Sequence, residues 1–110
     1  MKKYKSILFL LLCFPCIGQN WFQSQLIDRQ FNKAVEQYNE GRFDMSESIL
    51  IKILDGESGI YKESSLLLLI KSQMGLNRVE SAKETSRLFF TQFPESPYMK
   101  NVMESLGDLY

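Results

Sequence analysis

From position 27 the apolar side chains Ile27, Phe31, Ala34, Val35 and Tyr38 fall at i, i+4, i+7, i+8 and i+11, the spacing of one helix face. This predicts a first helix over 21–40, stopped by Gly41, which takes a left-handed conformation without strain. Asp44 followed by Glu47 is the pattern of a capping pair for a second helix, with Met45, Ile49, Leu50, Ile53 and Leu54 as its buried face. Asp55-Gly56-Glu57-Ser58-Gly59 reads as a loop. A third helix over 61–74 carries Leu66-Leu67-Leu68-Leu69-Ile70, a run that covers more than one face and calls for neighbours on both sides. Gly75 and Asn77 mark the next turn. Val79, Ala82, Ser86, Phe89, Phe90 and Phe93 then fall at i, i+3, i+7, i+10, i+11 and i+14 of a fourth helix, ended by Pro94. Ser96-Pro97 is a cap with proline at the first helical position. It opens a fifth helix with Tyr98, Val102, Met103, Leu106 and Tyr110 on one side. The expectation is an all-α fold.

Two of these stretches have the same grammar: an apolar helix face, a turn residue, then a second apolar helix face. Gly41 and Asn77, at equivalent places, are 36 residues apart, a period of stacked helical hairpins. Ala34, Tyr38, Gly41-Arg42-Phe43 and Ser46 have the spacing of a tetratricopeptide repeat, and the chain resembles that family here. A second unit offers Asn77, Ala82, Phe89 and Pro94, with Ile70 where the family has a small residue. Leu106-Gly107 and Tyr110 resemble the opening of a third. Phe93-Pro94-Glu95-Ser96-Pro97-Tyr98 is similar to a junction of envelope repeat proteins, such as the cell-division and barrel-assembly repeat proteins of Gram-negative bacteria. The resemblance covers roughly 27–110 and implies antiparallel helical hairpins stacked as a short right-handed solenoid of about two and a half repeats. Such arrays bind proteins or peptides on a preformed surface.

The first 18 residues have a different character. Lys2, Lys3 and Lys5 precede the apolar run Ile7-Leu8-Phe9-Leu10-Leu11-Leu12, and Cys16-Ile17-Gly18 places small residues before a cut. That order is a secretory signal peptide over 1–18, too short to span a bilayer, which takes roughly 20 residues. The mature segment, 19–110, is expected in the periplasm or outside the cell. Both cysteines, Cys13 and Cys16, fall in the leader, so the domain relies on its core and not on disulfides. Cys16 follows Pro15 and Phe14, so a lipid anchor is not expected.

All 13 acidic residues follow Gly18 against 10 basic ones, a net charge of about −3 with no dense patch of either sign. This argues against nucleic acid and anionic membrane surfaces as partners. There is no histidine, which removes Ser-His and Cys-His nucleophile pairs and histidine-bearing zinc sites. Glu36 with Glu40, or Asp44 with Glu47, are read as an exposed helix face and a cap, not as acid/base pairs. No phosphate-binding motif follows Gly56 and Gly59. No enzymatic activity and no cofactor or metal are expected. Trp21 and Phe22 dock on the first hairpin or else form an apolar patch. If helix A of each unit lines the concave surface, the outward polar residues Gln30, Lys33, Gln37 and Lys71 are the candidates for contact with a protein or peptide partner. Two other expectations stand beside this one. The helices are the N-terminal domain of a longer envelope protein with an enzymatic or ligand-binding domain beyond 110, or the fifth helix pairs with its copy in another chain.

Overall fold

The computed structural model of the chain describes residues 25–56 and 58–107, apart from the side chains of Ser105 and Leu106. Among the described residues five helices follow one another: α1 over 25–39, α2 over Phe43–Asp55, α3 over Lys62–Gly75, α4 over Val79–Gln92 and α5 over Met99–Gly107. A 3-10 turn, Gly59–Tyr61, leads into α3. There is no strand among the described residues. Each helix packs on its successor, and α3 packs on both α2 and α4. The expected leader, Trp21, Phe22, Tyr110 and the side chain of Leu106 lie outside the described residues.

The two hairpin turns are built alike, and the cause is one left-handed residue in each. Gly41 has φ 80° and Asn77 φ 59°. That conformation turns two N–H groups back onto the helix just left, satisfying carbonyls that a helix end leaves open. Gly41 N–H donates to the Tyr38 carbonyl at 3.0 Å and Arg42 N–H to that of Gln37 at 2.8 Å. In the second turn Asn77 N–H donates to Met74 at 3.0 Å and Arg78 N–H to Gln73 at 2.9 Å. Arg42 (φ −90°, ψ 70°) and Arg78 (φ −88°, ψ 72°) then open the next helix with nearly the same dihedrals. Their carbonyls accept from Ser46 N–H at 3.1 Å and Ala82 N–H at 2.9 Å. Every pair in this correspondence is 36 residues apart, so the recurrence in the sequence is a recurrence of turn geometry.

One expectation fails here. Asp44 and Glu47 do not form a capping pair, because Arg42 occupies the N-cap of α2 without a side-chain bond. Asp44 sits in the first turn, where a negative charge faces the positive end of the helix. Glu47 is buried, and Arg78 Nη1 donates to its Oε1. The charge pair therefore joins α2 to the turn before α4. The fifth helix begins at Met99, two residues later than the expected Pro97, and in the turn before it Tyr98 N–H donates to Ser96 Oγ at 3.1 Å.

Burial falls into two clusters with α3 as their common wall. Ala34, Leu50, Ile53 and Leu69 form the first, with Ile27, Phe31 and Leu68 against them. Leu66, Ile70, Phe89 and Val102 form the second, with Met74, Phe93 and Met99. Burying each large apolar side chain stabilises by about 1.5–3 kcal/mol, and the apolar run of α3 serves both clusters, as its pattern predicts. Helices approach closely where side chains are small. Ser46, Ser72 and Ala34 are fully buried; Ser46 Oγ donates to the Ala34 carbonyl at 2.9 Å and lies 3.3 Å from Ser72 Oγ. Met45, assigned to the buried face of α2, is 45% exposed, and Tyr98 and Met103, expected on one side of the fifth helix, are 42% and 59% exposed. In α5 the inward pair is Val102 with Met99.

The loop between hairpins is tied down by an aromatic lock. The Tyr61 ring lies 4.8 Å from that of Phe31, and its hydroxyl donates to Asp28 Oδ1. Further along, Ser96 Oγ donates to Glu63 Oε1 at 2.6 Å, fixing the α4–α5 connection to the start of α3.

Candidate functional site

Among the described residues an open cleft of about 490 Å³ lies between α1 and α2. Helix α1 gives it Gln30 and Lys33. Helix α2 gives Asp44, Met45, Ser48, Ile49 and Lys52, spaced one turn apart along one face. Met45 and Ile49 supply the apolar floor and the others a polar rim. The Ser46–Ala34 hydrogen bond sets the register of the antiparallel pair. Lys33 therefore belongs to the Asp44 end, while Lys52 stands toward the opposite end, where α2 finishes.

Comparing the units explains why a cleft is here. Lys33 stands 36 positions before Leu69, which packs α3 back onto Ala34, Leu50 and Ile53. Gln30 stands at the position of Leu66 and Val102, both fully buried. Leu69 of α3 and Val102 of α5 are apolar because each covers the hairpin before it, while the Lys33 position of α5 is Ser105. Helix α1 is polar at the same sites, and there the face stays open.

Of the four residues singled out for partner contact, two meet in this cleft and two do not. Lys71 is exposed on α3, away from it. Gln37 is buried, a correction to its expected outward position. Its Oε1 has no hydrogen-bond partner. The second unit shows what is missing: Gln73 Oε1 accepts from Thr85 Oγ1 at 2.8 Å, and the residue at Thr85's place in the first unit is Ile49. The apolar floor of the cleft thus costs Gln37 its donor.

The repeat positions distribute as follows. Ala34, Ala82 and Phe89 are buried, Gly41 and Asn77 form the turns, and the Tyr38 and Phe43 rings meet at 5.3 Å. Pro94 lies in the turn after α4, and Gly107 closes α5. Met45, Ser48, Ile49 and Lys52 escaped the sequence reading as a site. The signal for them was available in the polar Gln30 and Lys33 at positions where α3 has leucines.

Among the described residues no group of three or more His, Cys, Asp or Glu side chains is placed to hold a metal. Glu36 and Glu40 are exposed, while Glu47 is committed to Arg78. Tyr61 titrates above its ordinary range, chiefly because its hydroxyl donates to Asp28, then through desolvation and the charge of that carboxylate. No described helix is long and apolar enough to cross a membrane. Comparison with protein families, with curated proteins and with solved structures finds no match to this chain.

Proposed function

We propose that the chain is an exported scaffold of the tetratricopeptide type that binds a protein or peptide in the cell envelope, without catalysis of its own. The two congruent turns support the repeat reading, and the lysine-flanked apolar run before Gly18 supports export. The observation that carries the binding reading is the α1–α2 cleft, whose apolar floor and polar rim suit an anchor side chain with hydrogen bonds around it. A scaffold held by two buried clusters and an ion pair between α2 and the α3–α4 turn loses little freedom on binding. A second reading, the front domain of a longer envelope protein, rests on α5, whose Tyr98 and Met103 stay exposed.

Affinity capture from solubilised envelopes tests the first reading. The chain and its Met45→Asp/Ile49→Asp variant are compared side by side. A partner retained by the chain and lost by the folded variant supports the scaffold; identical retention by both removes the cleft from the function.

A further inference from the structure

We infer that the α1–α2 cleft takes an acidic amphipathic helix of a partner protein. The inference deepens the scaffold reading and rests on it. Shape comes first. At the position of Lys33 the second unit places Leu69, through which α3 packs back on Ala34, Leu50 and Ile53, and at that of Gln30 the last unit places Val102, through which α5 packs back on the α3–α4 hairpin. The chain thus uses these helix positions for helix-on-helix contact, and on α1 the corresponding face is open. A helix fits such a face, laying one apolar stripe on Met45 and Ile49.

Charge selects among helices. The side chains of Lys33 on one wall and Lys52 on the other make no hydrogen bond or ion pair within the described residues. Asp44, the one carboxylate of the lining, lies in the first turn of α2, where the positive helix end already offsets it. Lys52 is in the last turn of the same helix, so an acid from the partner meets it at the opposite end of the cleft from Asp44. A helix whose apolar stripe is edged by Glu or Asp gains two charge contacts; one edged by Lys meets two repulsions.

The test uses the full chain and three synthetic helical peptides of about 20 residues, long enough to cross the face. They share one leucine stripe and differ only in the edging residue: Glu, Gln or Lys. Fluorescence anisotropy is read at low salt and at about 0.5 M, where exposed charges are screened. The Glu peptide is expected to bind tightest and to weaken with salt. Lys33→Glu/Lys52→Glu should weaken it at least about 10-fold, with unchanged circular dichroism, since both ammonium groups are exposed. Lys71→Glu, outside the cleft, should leave it unchanged. The inference is overturned if the Gln or Lys peptide binds as tightly, if Lys71→Glu matches the double variant, or if no peptide binds. A Gln or Lys peptide released by Met45→Asp would discard the acidic partner and keep the scaffold. No peptide bound, with an envelope protein still captured through Met45 and Ile49, would discard the helical occupant alone. Loss of both would discard the scaffold reading.

Discussion

Gly75 closes α3, and its missing side chain is occupied space. A Cβ there would stand 2.7 Å from Phe43 Cδ2 and 2.8 Å from Cε2. The Phe43 ring is backed by Tyr38, so it has little room to retreat. Alanine in a helix ordinarily gains about 1 kcal/mol over glycine. Here overpacking should reverse the sign, leaving Gly75→Ala less stable by about 1–2 kcal/mol. Thermal melts would read this as a lower Tm, recovered when Phe43→Leu is added. A melt above wild type would show the ring contact to be wrong. Tyr61 gives a second prediction at this scale. Its folded pKa lies above the unfolded value of 10.0, so its contribution is complete below that pH and is lost as pH rises through the folded value. Spectrophotometric titration should find a tyrosine that titrates above 10.0 and is absent in Tyr61→Phe, and that variant should lose less stability in strong alkali than wild type.

The hairpins share one turn but differ in how a buried glutamine is treated, and that difference is testable at the scale of elements. Gln73 in α3 has its Thr85 donor from α4; Gln37 in α1 has none, and the residue at Thr85's place in α2 is Ile49. Gln37→Leu removes an orphaned buried acceptor and should stabilise by about 1 kcal/mol. Gln73→Leu breaks a made hydrogen bond and should destabilise by a similar amount. Equal shifts of the same sign in urea melts would mean that the two positions are not counterparts. All five helices, both turns and the enclosed α3 were legible in the sequence, because apolar periodicity and left-handed stop residues are local signals. The cap at Asp44 was misread because α2 already begins at Phe43 with Arg42 at its N-cap, and the inward Met45 was misread for a separate reason. Pattern alone does not tell which of two adjacent apolar rows meets a neighbour, and here the small residues Ser46 and Ala34 draw the helices together on the other row. Half the cleft was legible, through Gln30 and Lys33. The α2 half depends on that choice of row and was not.

In the whole molecule, α3 separates two clusters, and this decides how the chain comes apart. Ile70 is fully buried in the cluster between α3, α4 and α5, while Leu69, its neighbour in sequence, belongs to the cluster of α1 and α2. Cutting either to alanine should cost about 2–5 kcal/mol, much of the stability of a domain this small. Because the two share one helix, a single lowered transition is expected for each variant. Val102 differs: it holds α5 through the second cluster alone, and α5 touches α4 far less than α3 touches either neighbour. Val102→Ala should therefore release α5 without releasing the first hairpin. Hydrogen exchange would show faster exchange across 99–107, with the Arg42 and Ser46 amides keeping their wild-type protection. Equal loss of protection at both ends would mean that the hairpins fold as one indivisible unit. In that case the open α1–α2 face would be sensitive to changes at α5, and a partner seated there would be coupled to the far end of the array.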